Sequence, residues 1–329
     1  MGSDARRRRA VLISLLTISL GACGSGIEPA GEPARRIDRL TTTMFWLGLI
    51  PMLVVVGIIV AIVLWRRRHR SPVTERHFVM GGGVVFSILL LVPVIVLTAV
   101  TQLNLGIDGD DRLEIEITGH QWWWDIRYVT DDGMVRTANE LHVPTDTPID
   151  LRLTSADVIH SVWIPELHGK IDLIPDQVNT LEIHVDEPGV YEGNCAEFCG
   201  IAHALMRLLV VAHPPAEFET WLAEETAPPQ VDVDIATMQE FANSCAPCHT
   251  VRGLFDDHAY EGDFGPDLTH LASRRMIGAN ILPNTPEALA RWIVDPEGAK
   301  PGNRMPDVGL DAEELTQILD LLRQLDGHG

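Results

Sequence analysis

Two long uncharged runs constrain this chain more than any other feature. Residues 44–65 and 79–103 contain no Asp, Glu, Lys or Arg. At a rise of ~1.5 Å per residue, each is long enough to cross a hydrocarbon core of ~30 Å. Arg66, Arg67, Arg68, His69, Arg70 and Arg76 lie between them. The positive-inside rule puts that basic loop in the cytoplasm and both flanks outside. A two-helix transmembrane hairpin is therefore expected, with everything after about residue 106 extracytoplasmic. Buried helices of a soluble core are the alternative, and two runs of this length around a basic loop fit it poorly.

The N-terminus supports the same orientation. Arg6 to Arg9 precede an apolar run over 10–20 that is too short to span a bilayer and ends in small residues. This is the pattern of a secretory signal, here over 1–22. Leu20-Gly21-Ala22-Cys23 resembles a bacterial lipobox, which implies cleavage before Cys23 and lipidation of its thiol. Cys23 read simply as a small residue near a processed end is the alternative. At the cytoplasmic start of the second run stands Glu75, either a solvated flank or the mouth of a proton pathway.

The polar remainder is acidic. Forty-six Asp and Glu against 25 Lys and Arg give a formal charge of −21, which excludes nucleic acid as a partner and suits steering of a basic protein. From 107 to 213 the pattern becomes short alternating runs separated by turn residues. Leu113-Glu114-Ile115-Glu116-Ile117, Ile149-Asp150-Leu151-Arg152-Leu153 and Leu181-Glu182-Ile183-His184-Val185 each read as half-buried strands. Several at this spacing predict an all-β sandwich or small barrel.

The strand-like Val190-Tyr191 runs into Cys195-Ala196-Glu197-Phe198-Cys199, followed by His203 and Met206. Thiolate, imidazole and thioether select copper over magnesium or calcium. One His, one Cys and one Met would make a mononuclear site. A second Cys, and His160 from an earlier strand end, are what two thiolate-bridged coppers require. A disulfide is the alternative for such a pair on the oxidising side of a membrane.

Cys-x-Glu-x-Cys-x3-His-x2-Met, with Asp157-Val158-Ile159-His160-Ser161 upstream, resembles the binuclear CuA site of cytochrome c oxidase subunit II. The resemblance implies a cupredoxin-like sandwich with Cys195 and Cys199 bridging, and His160 and His203 as terminal ligands. It makes Met206 and the Glu197 carbonyl weak ligands, one to each copper. The Glu197 side chain would reach magnesium or manganese at the subunit I interface. The nearby aspartates read as surface charge. Gly119-His120-Gln121-Trp122-Trp123-Trp124 matches the family's aromatic segment, which gives Trp122 the role of receiving electrons. Adjacent strand residues face opposite sides, so the three tryptophans are not all expected in a core. An interfacial cluster anchoring the domain is the compatible alternative. Pro175-Asp176-Gln177 departs from the family's usual Pro-Gly-Arg, leaving that arginine's interface role without its residue. Glu75 falls where relatives carry a proton-pathway glutamate.

Residues 214–235 read as a short helix and a proline-marked linker, and 236–329 as helical. Cys245-Ala246-Pro247-Cys248-His249 is a haem-attachment signature, with His249 to the iron. A thioredoxin-like pair would need a βαβ setting that the sequence lacks. Met305, in Lys300-Pro301-Gly302-Asn303-Arg304-Met305-Pro306, offers the sixth ligand, which suits electron carriage. Gly265-Pro266-Asp267-Leu268-Thr269 and Trp292 also resemble class I cytochrome c, and 310–325 reads as a closing amphipathic helix.

Residues 231–329 hold 17 acidic and 7 basic side chains, and 108–213 hold 20 and 6, net −10 and −14. Complementary net charge is thus not expected to dock the two modules, and the tether is expected to bring them together.

The chain is similar to the subunit II–cytochrome c fusion of bacterial caa-type oxidases. That implies covalent haem c, two coppers, subunit I and a subunit III as partners, and cytochrome c or a bc complex as donor, at the bacterial cell membrane. A quinol-oxidase subunit II would lack the copper ligands. Nitrous oxide reductase would need a histidine-rich catalytic domain. A membrane-anchored electron carrier outside any oxidase is the third rival.

Overall fold

The computed structural model describes residues 28–65, 77, 79–106, 112–130, 133–254 and 264–326. Cys23, the segment 1–22 and Glu75 lie outside them. Helix α1, Glu32–Trp65, starts twelve residues before the apolar run. Its first turns rest on the β domain: the Ala30 N–H donates to the Glu166 carbonyl at 2.8 Å, and Arg35 pairs with Asp186. A π-helical turn over Val79–Val85 leads into α2, Phe86–Leu103. Both apolar helices are long enough to cross a membrane, and their side chains, such as Ile59, Leu89 and Ile95, are exposed. Apolar surface on this scale is stable only in contact with lipid or protein.

The middle of the chain is a two-sheet sandwich, the cupredoxin-like architecture. The first sheet has the order β3 (Gly133–Ala138), β2 (Trp123–Thr130), β1 (Leu113–His120), β5 (Ile149–Ser155), β8 (Asn179–Ile183). The second runs β4 (Glu140–Pro144), β10 (Arg207–His213), β9 (Gly189–Cys195), β6 (His160–Trp163), β7 (Ile171–Leu173). Alternation explains the packing. Ile115, Ile117, Leu151, Leu153, Leu181 and Ile183 point inward and are essentially fully buried, while Glu114, Glu116, Asp150 and Glu182 face out. Each such side chain contributes about 1.5–3 kcal/mol. The parallel β1–β5 pair and the parallel β4–β10 pair join strands distant in sequence. The antiparallel β6–β9 pair, in which Val162 faces Cys195, sets the His160 strand end beside the Cys195 strand end.

Helix α3, Pro215–Thr226, begins with a proline at its first position, where no N–H is needed. Its Trp221 stacks flat on His142 at 4.1 Å, and Phe218 is buried in the sandwich core. The C-terminal module is helical: α4 (Ile235–Ser244), α5 (Pro286–Val294), α6 (Pro296–Ala299) and α7 (Ala312–Gln324), plus a two-residue ladder of β11 (Met276–Ile277) and β12 (Leu282–Pro283). Asp234, Thr285 and Asp311 cap α4, α5 and α7, the last in a full capping box with Glu314. Phe241, Leu289, Ile293, Ile318 and Leu321 form the core, and Phe241→Ala would cost about 3–5 kcal/mol.

The two modules are packed against each other by short-range polar contacts, contrary to the expectation of a tether alone. Asn280 Nδ2 donates to the Asn139 carbonyl at 2.7 Å, the Arg275 N–H to Glu140 at 3.0 Å, and the Arg207 N–H to the Ala279 carbonyl at 3.3 Å. Net charge misleads here because the contacts are local: Lys300, Arg304 and Arg275 are basic residues placed at the seam of an otherwise acidic module. Trp122, Trp123 and Trp124 are all buried, at 8%, 7% and 0% exposed. In keeping with the alternation, not all three join the sandwich core: Trp122 and Trp124 pack in it, while Trp123 stacks on His120 and, with Trp122, lines a cavity shared with the C-terminal module.

Candidate metal and haem centres

The sequence-derived copper ligands converge at one end of the sandwich. His160 begins β6 and Cys195 ends β9, and the loop between Cys195 and Met206 is folded back on itself by the Cys195 N–H bond to the Met206 carbonyl at 3.0 Å. The two sulfurs lie 3.7 Å apart and both cysteines are free, so the pair is not a disulfide. Cys195 Sγ is 3.9 Å from His160 Nδ1 and 3.2 Å from the Glu197 carbonyl oxygen. Cys199 Sγ is 3.6 Å from His203 Nδ1 and 3.9 Å from Met206 Sδ. His160, the Glu197 carbonyl, His203 and Met206 thus surround one sulfur pair, an arrangement of mostly soft and borderline donors that suits copper. His160, Cys195 and Cys199 are buried and close enough together to share a metal ion.

Electrostatics around the pair favour deprotonated sulfur at one position. The hydrogen bond with Cys199 holds the Cys195 thiol low, against burial and with help from His160. The same bond, together with burial, pushes Cys199 up. Metal binding at both sulfurs must therefore expel the proton they share.

Asp157, read above as surface charge, belongs to this site. Its Oδ1 is 2.9 Å from His160 Nε2, which leaves His160 Nδ1 turned to the sulfurs. Burial raises its pKa, but bonds from His160 and from the Gln121 and Val158 N–H groups win and hold the carboxyl at about 2. A carboxylate on the far nitrogen of a ligating histidine fixes its tautomer and its basicity. The signal was the i, i+3 spacing to His160 in a turn, which an aspartate count does not reveal.

In the C-terminal module Cys245 caps α4, and the Cys248 and His249 N–H groups turn back onto its carbonyl at 3.0 and 2.9 Å. His249 Nδ1 donates to the Pro266 carbonyl at 2.8 Å, leaving Nε2 free. Burial pushes His249 down and favours the neutral ring. Cys245, Cys248, His249, Trp292 and Met305 line a cavity of about 720 Å³ whose opposite wall is His120, Gln121, Trp122 and Trp123. That is the volume of a cofactor pocket. Arg274 Nε, buried at its edge without a partner, suits an anionic group such as a haem carboxylate. The residues present therefore fit a covalent haem.

Trp122 stands between the two sites. Its indole Nε1 donates to the Cys199 carbonyl at 3.1 Å, and Gly200, at φ 120°, lets the ring approach so closely that a Cβ there would lie 2.9 Å from it. Lys300, Arg304 and Gln121, which sequence reasoning passed over, surround it.

Fold and sites together define a cupredoxin-like module joined to a c-type cytochrome behind two apolar helices. Residues 129–213 match the family described as cytochrome c oxidase subunit II, periplasmic domain, and 238–326 match cytochrome c. Cytochrome c oxidase subunit 2 of Alkalihalophilus pseudofirmus is 29% identical over 336 residues, 95% of each chain. That of Bacillus subtilis is 30% identical over 328 residues, 91% of each. The crystal structure of the periplasmic domain of cytochrome oxidase subunit II from Bradyrhizobium japonicum is 30% identical, covering 37% of this chain and 97% of that one, at a TM-score of 0.35. The chain belongs to the cytochrome c oxidase subunit 2 family, and carries a cytochrome c domain.

Proposed function

We propose that this subunit takes electrons from an external donor at its own haem c and hands them through Trp122 to a binuclear copper centre. From there they pass to subunit I, where oxygen is reduced to water and protons are pumped. When bound, the haem iron and the copper pair would each supply one-electron redox chemistry, one electron per centre. The chain's own residues hold them. Cys245 and Cys248 would carry the thioether links, and His249 and Met305 would ligate the iron. Cys195, Cys199, His160 and His203 would bind copper, with Met206 and the Glu197 carbonyl as weak ligands. The observation that carries the reading is Trp122, which lines the haem cavity and is bonded to the Cys199 carbonyl at 3.1 Å.

The modules are assigned as 23–106 for the membrane segment, 107–213 for the copper domain, 214–235 for the connector and 236–329 for the cytochrome. The first is a multi-pass anchor in the bacterial cell membrane, with the other modules outside. The Glu197 carboxylate, 3.2 Å from Lys170 Nζ and half exposed, is free to turn to a magnesium or manganese ion shared with subunit I. Glu75 as proton-pathway mouth, Cys23 as lipid attachment point and subunit III as neighbour complete the proposal. Capture of the tagged full chain from its native membranes tests it. A co-purifying haem-containing subunit with oxygen uptake on reduced donor is expected. The chain alone, metal-loaded and inactive, would make it an electron carrier.

A further inference from the structure

The seam between the two modules holds a buried lysine. Lys300 is only 3% exposed, yet its Nζ meets carbonyls and not a carboxylate: Trp122 O at 2.7 Å and Gly278 O at 3.1 Å. One acceptor belongs to the copper module and the other to the cytochrome module. A charged group is costly to bury in this way unless its bonds are kept. Arg304, four residues on, lies 5.8 Å from the centre of the Trp122 ring, bonds the Gln121 side chain and sits 3.8 Å from Asp157. Between them Gly302, at φ 81°, packs on Ile201 so tightly that a Cβ would lie 2.4 Å from it. The segment that ends at Met305 is therefore clamped on both the tryptophan and the copper-ligand loop.

We propose that Lys300 is a positioning residue for electron transfer within the chain. By joining the Trp122 and Gly278 carbonyls it locks the Met305 loop on the electron-accepting tryptophan, so the docked geometry, not the length of the linker, sets the haem-to-copper rate.

This inference rests on the Trp122 route proposed above, and the test separates the two. The full chain, loaded with haem and copper, is reduced at the haem by a flash-generated small reductant, and equilibration with copper is timed. In Lys300→Met, haem reduction and both metal spectra stay as in the parent. Haem-to-copper equilibration slows roughly tenfold or more, because two carbonyls lose their donor and the docked population falls. Lys300→Arg, which keeps the donors, recovers part of the rate. Equilibration unchanged in Lys300→Met with both centres intact overturns the proposal. If Trp122→Phe is slow at the same time, the route stands and only the anchor fails; if Trp122→Phe is equally unaffected, the route fails. Should Lys300→Met not assemble, a Gly-Ser insertion after Gln230 in the parent decides: an anchored module keeps its rate. A tethered one loses rate as the linker grows, by roughly the −3/2 power of its length.

Discussion

The indole N–H of Trp122 and the carbonyl of Cys199, 77 positions apart, meet at 3.1 Å. The bond joins the wall of the cavity proposed for haem to the backbone between the Cys195–Cys199 sulfur pair and His203. Replacing Trp122 by Phe keeps a ring but removes that donor, while Gln121 Nε2 still serves the same oxygen at 2.6 Å. The expected stability loss is about 1 kcal/mol. Copper and haem spectra should be retained and transfer between them slowed, as read by flash reduction of the haem.

Asp157→Asn tests the support of His160. The amide cannot carry the charge that the bonds from His160, Gln121 and Val158 now stabilise. Copper affinity is expected to fall about 10–100-fold. A competition titration with a copper chelator measures it. An unchanged affinity would return Asp157 to the status of a surface charge.

Glu225 gives the seam a pH dependence. Burial raises its pKa from 4.5 to about 7, against the pull of Arg274 and Arg252. The folded state therefore binds a proton more tightly than the unfolded chain does. The stability it contributes is complete below about pH 4.5 and is lost as pH rises to about 7, about 3 kcal/mol in all. Glu225→Gln should flatten Tm across that window and raise it at pH 8. A parallel pH profile of Tm in parent and variant would contradict this.

Gly302→Ala and Ile201→Ala form a cycle. Alone, Gly302→Ala should loosen the docked loop through both the positive φ and the clash with Ile201. With Ile201 cut to Ala the clash goes and the backbone strain stays, so the double variant recovers part of the loss. Additive effects on Tm would mean that the two do not touch.

Much of this was readable from residue order because it is local. Alternation in Ile115 and Ile117 or Leu151 and Leu153 places strands, the loop from Cys195 to Met206 holds every proposed copper ligand but His160, and Cys245-x-x-Cys248-His249 is a single turn. What was not readable depends on packing between modules. Three consecutive tryptophans are all buried only because a second domain covers one side. Lys300 looks like an ordinary surface lysine beside Pro301-Gly302 until that docking buries it. After Gly278 at φ 66°, Ala279 and Asn280 also adopt left-handed φ of 63° and 61° at the seam, which residue types other than glycine do not announce. Net charges of opposite sign were sought for docking, whereas a few buried hydrogen bonds do it.

One chain is proposed to carry both redox centres. The most direct test is the visible and near-infrared absorption of the purified full chain, oxidised and reduced, with copper and iron counted. Two coppers and one iron per chain, a c-type haem band, and a near-infrared mixed-valence band that disappears on reduction are expected. Haem without the copper band, in protein matured with copper available, would contradict the proposal and leave a tethered cytochrome.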